Sequence, residues 1–482
     1  MSRKKILFAG AEVMPYAATG GLGDVLGSLP TALSRAYGDE VDVRVVMPLY
    51  ASIPAEWREQ MKDEAIFTLS LAWRRQYCGV KSLCRDGVTY YFIDNEYYFG
   101  RPALYGYYDD GERFAYFSKA VIDMMSELNY YPDILHANDW QTALAVVYLE
   151  KFYRSVPGYG AIKTVFTIHN IEYQGKFGFE MIDDVFGLPE DSRTLFEYNG
   201  GVNLMKAAIE CARRVSTVSP RYAEEILEPP LSHGLYHVLR AHRSKLVGIL
   251  NGIDYDSYNP ETDSALAAHY TANTATKGKA LDKTALQKEI GLPERPVPLL
   301  AMISRLAAHK GLDLVREIGG RLLSEHDVQL VVLGTGNAEY EEYFRSLERD
   351  FPDRCRALIR YDRALSRRIY AAADLFLMPS QSEPCGLSQM IASRYGAIPV
   401  TRETGGLYDS IQGYWEKDGV LLGNGFTFAG YRSDELYERI GAALQLCADA
   451  KKKRAFVKKI MQVDFSWRTS AEKYKQMYDS LT

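Results

Sequence analysis

The sequence is poor in everything that would tie it to a charged polymer, a membrane or an oxidising compartment. Its 482 residues carry a formal net charge of only -5, so no global field draws it to nucleic acid or to an anionic bilayer. No apolar run approaches the roughly 20 residues of a membrane span. The stretch Ile6–Ala9, behind Arg3-Lys4-Lys5, is too short for a signal-peptide core and ends at Gly10-Ala11-Glu12. The six cysteines, Cys78, Cys84, Cys211, Cys355, Cys385 and Cys447, form no Cys-x-x-Cys pair and no disulfide framework. Scattered thiols of this kind suit a reducing cytoplasm, and the expectation is a cytoplasmic protein with no membrane and no nucleic-acid partner. No Gly-x-Ser-x-Gly elbow, dinucleotide fingerprint or Walker loop is present, which disfavours a nicotinamide oxidoreductase. His233, His237 and His242 have near-helical spacing, but Gly234 weakens the helix and no carboxylate completes a ligand set, so no metal is expected. There is no internal repeat and no low-complexity tract.

What is there is an ordinary globular composition, 47% hydrophobic and 25% charged, in a chain too long for one core. Short β-branched runs alternate with helical patterns: Lys5–Ala9, Val41–Met47, Ile134–Ala137, Lys163–Ile168, Val215–Val218, Leu246–Leu250, Leu299–Ile303, Gln329–Leu333, Leu375–Met378 and Ile398–Thr401. Nearly continuous apolar segments are what buried parallel strands look like. Leu204, Ala207, Ala208 and Cys211 mark one helical face between them, and Leu436, Ile440, Leu444 and Cys447 another. The fold class is α/β with two parallel sheets, the hinge falling near residues 246–252.

Several polar loops follow these strands. Thr19-Gly20-Gly21-Leu22-Gly23-Asp24-Val25 lets the backbone turn tightly and bring N–H donors close to phosphate or sugar oxygens. Ser380-Gln381-Ser382-Glu383-Pro384-Cys385-Gly386-Leu387 lies between a strand and the helical run Ser388–Arg394, with Glu383 placed to hold a sugar hydroxyl or to cap the helix. Arg305, followed by His309-Lys310-Gly311, suits a diphosphate whose leaving-group charge must be stabilised. Gly334-Thr335-Gly336 and Thr404-Gly405-Gly406-Leu407 add two small-residue loops. In the first half, His136–Gln141 and His169–Gly175 put hydrogen-bonding groups beside aromatics, as a carbohydrate site requires.

These motifs, in this order, resemble those of the bacterial glycogen synthase and starch synthase family, from Ile6 to about Tyr474. Glu383–Leu387 combined with His169–Gly175 is the most specific part of the likeness. The resemblance implies two Rossmann-like domains facing across a deep cleft, the GT-B architecture. It implies an acceptor-side domain over residues 1–248, a nucleotide-sugar domain over 249–463, and a last helix within 464–482 that crosses back. The implied reaction is transfer of glucose from ADP-glucose to the non-reducing 4-hydroxyl of an α-1,4-glucan, with retention and without a cofactor. Arg305 and Lys310 are the implied diphosphate clamps, and Glu383, with N–H groups near Cys385 and Gly386, the implied glucose holder. His169, Asp139, Asn170, Asp24 and Asn251 form the implied catalytic shell. Thr19, Gly20, Gly21, Tyr173, Gln174, Leu387, Thr404, Gly405 and Gly406 complete the implied substrate contacts. The chain departs from the family pattern at Ala18, where a lysine is usual, at Ala307 and at His309. The alternatives are a related transferase using UDP-glucose and a catalytically weak glucan-binding paralogue.

Overall fold

The computed structural model describes residues 3–481 and divides into two compact units. The first comprises residues up to Asn251 together with Trp467 onward, and the second runs from Gly252 to Ser466. The first unit is built on a nine-stranded sheet. Its order is Leu246–Gly248, Arg214–Thr217, Lys163–Ile168, Ile134–Asn138, Lys4–Ala9, Val41–Pro48, Val88–Asp94, Arg74–Arg85 and Lys62–Leu71. All neighbours pair in parallel as far as Val88–Asp94, and the last two strands pair antiparallel. The second unit holds a six-stranded, all-parallel sheet ordered Cys355–Leu358, Gln329–Leu333, Leu299–Ile303, Leu375–Met378, Ile398–Arg402 and Phe426–Phe428. Strands such as Ile6–Ala9 and Leu330–Val332 are wholly buried, because helices cover both faces of a parallel sheet.

Each of the ten expected strands is present. The strands Val88–Asp94, Cys355–Leu358 and Phe426–Phe428 and the hairpin Lys62–Arg85 were not expected; the hairpin's first strand alternates with mostly exposed residues, so it offers no continuous apolar run. The expected face of the helix Ser433–Ala448 needs correction. Leu436 and Ile440 are buried, but the stripe continues through Ala443 and Leu446, leaving Leu444 and Cys447 half-buried at its side. At 3.6 residues per turn Ala443 lies within about 20° of Leu436 while Leu444 lies about 80° away; Cys447 keeps the angle of the stripe but sits in the last turn, where it is only half-buried. Helix starts follow local chemistry. Asn203 caps Leu204–Cys211 by accepting from the N–H of Lys206, and Ser219 caps Pro220–Glu225 with proline in the first turn. The last helix, Trp467–Asp479, belongs to the first unit. Tyr478 bonds His136 Nδ1 at 2.7 Å, and Lys475 and Asp479 pair with Glu40 and Lys4.

Lys279 is a buried cation whose ammonium donates to the carbonyls of Ala371 at 2.7 Å and Tyr395 at 2.9 Å. It therefore ties the C-terminal ends of two helices, Arg363–Ala372 and Ser388–Arg394. The carbonyl of Tyr395 also receives the Tyr270 hydroxyl, so loss of the lysine would orphan chiefly Ala371, together with Tyr370, whose carbonyl the ammonium reaches at 3.4 Å. An unpaired buried carbonyl costs about 1–3 kcal/mol. Lys279→Met should lower the thermal transition of the second unit by roughly 2–4 °C for each kcal/mol lost. Calorimetry checks this, and an unchanged transition would mean the carbonyl finds another donor.

Candidate functional sites in the two units

In each sheet the chain winds outward from one central strand and then returns to its other side. In the first unit that strand is Lys4–Ala9, with Val41–Pro48 on one side and Ile134–Asn138 on the other. In the second it is Leu299–Ile303, between Gln329–Leu333 and Leu375–Met378. Loops leaving the carboxyl ends of strands at such a reversal diverge and leave a crevice, where open α/β sheets bind ligands. The expected residues fall at these two places.

In the first unit the loops beside the reversal are 10–20 and the turn at Asp139. Asp139 has φ 56° and ψ 177°, a region that almost only glycine visits and that costs about 1–3 kcal/mol. Its carboxylate accepts the N–H of His169 at 2.8 Å, which holds the strained turn against the next strand's exit. Desolvation pushes the Asp139 carboxyl up to about 7, opposed by N–H bonds from His169 and Asn170 and reinforced by the charge of Glu12.

His169 Nε2 lies 2.9 Å from Asn138 Oδ1. The amide nitrogen of Asn138 donates to the carbonyls of Ala9 and His136, so the oxygen facing His169 must accept. Nε2 therefore carries the proton, and Nδ1 is left as an acceptor. Burial holds the ring neutral, with its pKa lowered to about 3. Asn138 thus orients His169, a part the sequence did not reveal. His136 is a buried structural group between Tyr478 and Thr167.

Other expected residues fill supporting places. Asn170 Oδ1 accepts the N–H of Glu172 at 3.0 Å, forming the turn that carries the half-exposed Tyr173. Gln174 is buried and spends its amide on Ile171, His233 and Asn203, bracing the loop from within. Asp24 sits in the first turn of Gly21–Tyr37, where a carboxylate suits the helix dipole. Asn251, 5% exposed, has a buried Oδ1 without a hydrogen-bond partner.

In the second unit, Lys310 Nζ lies 2.6 Å from Glu383 Oε2, and the buried Ser380 hydroxyl donates to the same oxygen at 3.1 Å. The N–H of Gln381 donates to the carbonyl of His309 at 2.8 Å, tying the two loops beside the reversal together. The Arg305 side chain is exposed and has no ion-pair partner among the described residues. Gln389 Nε2 draws the carbonyls of Cys385 and Gly386 inward. In planar trans peptides the N–H groups of Gly386 and Leu387 must then point the other way. Gly406 donates its N–H to the Glu383 carbonyl at 3.1 Å. A Cβ on Gly405 or Gly406 would strike the backbone of Glu383 or Cys385, so behind Thr404 these glycines act as the seat of the Glu383 loop. Among the described residues no group of three or more His, Cys, Asp or Glu could hold a metal ion, and no helix is long and apolar enough to cross a membrane.

Known proteins share this arrangement. Residues 5–241 match the starch synthase catalytic domain, and residues 282–462 match the glycosyl transferases of group 1. The class is that of the GT-B glycosyltransferases, enzymes assembled from two parallel-sheet domains. Within it, the chain is 47% identical to the glycogen synthase of Bacillus subtilis (strain 168) over 99% of this chain and 98% of that protein. It is equally similar to the glycogen synthase of Ligilactobacillus salivarius (strain UCC118), over 99% of this chain and 100% of that one. The catalytic domain of starch synthase IV from Arabidopsis thaliana, solved bound to ADP and acarbose, matches with a TM-score of 0.90 and 34% identity, covering 100% of this chain and 99% of that one. The chain belongs to the glycogen synthase and starch synthase family.

The Asp139 environment has a consequence for stability. A carboxyl whose folded pKa is raised binds its proton more tightly in the native state, so its contribution to stability falls as pH rises from about 4 towards 7. Asp139→Asn keeps an acceptor for the N–H of His169 and removes the half-buried charge. The variant should melt above the parent at pH 8, with the gap closing as pH falls. Melting curves of both proteins across that range decide it, and a constant gap would contradict the raised pKa.

Proposed function

We propose that this protein transfers glucose from ADP-glucose to the non-reducing 4-hydroxyl of an α-1,4-glucan with retention. The observation that carries the reading is the loop pair of the second unit, where an exposed Arg305 and the Lys310–Glu383 pair stand together at the reversal of a parallel sheet. The likeness to a starch synthase domain that binds ADP and acarbose favours this donor and this class of acceptor.

In this reading Arg305 and Lys310 bind the diphosphate and balance the charge that appears when the bond from the anomeric carbon to the phosphate oxygen breaks. Glu383 holds glucose hydroxyls, with the N–H groups of Gly386 and Leu387 beside it. The glucan 4-oxygen attacks the anomeric carbon from the face the phosphate leaves, and its proton passes to the departing phosphate oxygen. Asp139, the neutral His169, Asn170, Asp24 and Asn251 line the first unit's part of the reaction, where His169 Nδ1 can accept from a sugar hydroxyl. Ala18 offers no cation, so the phosphate charge falls to Arg305 and Lys310. Because none of the six cysteines forms a disulfide among the described residues, we place the protein in the cytoplasm.

Release of ADP from ADP-glucose in the presence of glycogen, compared with UDP release from UDP-glucose, tests the reading. Preference for UDP-glucose would move the protein to the related transferase, and no release from either would leave a glucan binder. Glu383→Gln should lower turnover by roughly 100-fold, the scale of losing one well-placed polar group at a reacting centre. Because the change frees Lys310 from its internal partner, ADP binding should be equal or tighter. Turnover unchanged from the parent would remove Glu383 from the reaction. Lys310→Ala should weaken ADP binding by about 10- to 150-fold, the range for a hydrogen bond to a charged group. Calorimetric titration with ADP measures it, and a near-normal affinity would sink the clamp.

A further inference from the structure

Glu12 lies on the loop that leaves the first strand and is 5% exposed. Its carboxylate accepts four hydrogen bonds. The N–H groups of Thr19 and Gly20 reach Oε2, the latter at 3.0 Å. The hydroxyls of Thr19 and Tyr105 reach Oε1, each at 2.8 Å. All four donors are uncharged, so this buried carboxylate rests on amide and hydroxyl dipoles alone, which requires all of them to be well placed. In a glycine loop that opens a helix, these N–H groups are the ones an incoming phosphate would use. Here two of them are already occupied. What the loop leaves open is the Cα side of Gly20 and Gly21, where an added Cβ would meet nothing within 4 Å. Ala18 packs against Gly23, where the side chain of Glu12 also lies, so residues 12–23 close on themselves around the carboxylate.

We propose that Glu12 is the positioning residue of the glycine loop, an internal anion that takes the N–H groups of Thr19 and Gly20 and fixes the open Gly20–Gly21 surface for the donor sugar. The inference deepens the reading above and rests on it: the donor's phosphates draw on the second unit's cations, and the loop of the first unit contributes shape.

The test compares Glu12→Ala with Glu12→Gln in the full chain by amide hydrogen exchange, ADP titration and steady-state kinetics. In Glu12→Ala the amides of Thr19 and Gly20 should exchange about 10- to 150-fold faster, the range for losing hydrogen bonds to a charged group. Turnover should fall by at least tenfold on the same scale, while affinity for ADP stays at the parent's value. Glu12→Gln should recover most of the lost turnover. Its amide oxygen still accepts from both N–H groups, and its NH2 can donate to the two hydroxyls. Three results would each overturn the proposal: unchanged exchange, ADP affinity that falls along with turnover, or a glutamine variant as impaired as the alanine one. Should Glu12→Ala not fold, the same readouts on Tyr105→Phe decide, since it removes one donor from Oε1. Faster exchange there supports the proposal and parental exchange overturns it. Exchange and ADP titration need no turnover, so a parent enzyme that prefers another sugar donor fails the functional reading without touching this one.

Discussion

Each unit depends on one parallel strand with neighbours on both sides: Lys4–Ala9 in the first and Leu299–Ile303 in the second. A parallel neighbour must be reached by a crossover that packs a helix on one face of the sheet, and crossovers in a sheet keep one hand. Chain that winds first to one side and then to the other therefore sends successive helices to opposite faces. The loops at the carboxyl end of the central strand part company there. Burial of the strand on both faces keeps polar groups out of the sheet, so the chemistry collects in those loops. Glu12 and Asp139 flank one such gap, and Arg305 and Glu383 flank the other.

The two gaps are electrostatically unlike. In the first, the carboxylate of Glu12 is balanced by N–H and O–H groups alone, and that of Asp139, itself in a strained turn, accepts the backbone N–H of His169. In the second, an exposed arginine stands beside a lysine whose charge is only partly committed. Dipoles fixed by backbone geometry cannot follow a ligand, whereas long cationic side chains can. The first unit is thus suited to shape and orientation, and the second to charge that appears during a reaction. The raised pKa of Asp139 and the lowered pKa of His169 agree with this, since desolvation dominates both.

Much of this was legible in the residues because the signals were local. Continuous apolar runs mark strands buried on both faces, and polar, glycine-bearing segments directly after them mark carboxyl-edge loops. The hairpin Lys62–Arg85 escaped because an edge pair exposed on one side has no such run. Glu12 escaped for a different reason. In the sequence it only interrupts an apolar run, and its meaning comes from Thr19 and from Tyr105, 93 positions away. Asn138 likewise becomes informative only when two neighbouring strands bring it to His169. The bend at Asp139 could not be anticipated, because aspartate carries no preference for that backbone region. Gln174 was recognised as part of a polar cluster, but only its three partners show that it braces the loop.

The pairing of Lys310 with Glu383 explains how a site can be charged and still be stable without ligand. A largely buried ammonium or carboxylate left alone would cost several kcal/mol, and each here neutralises the other across 2.6 Å. A nucleotide sugar carries complements for both, phosphate oxygens for the lysine and hydroxyls for the carboxylate. In the proposed reading, binding exchanges partners rather than desolvating bare charges, and the net cost of opening the pair stays small. The same exchange would make the site selective. A free phosphate would satisfy Lys310 but strand Glu383, and a free sugar would leave the ion pair closed. Only a molecule that joins an anion to a polyhydroxylated ring satisfies both, which is the chemistry the family to which this chain belongs handles.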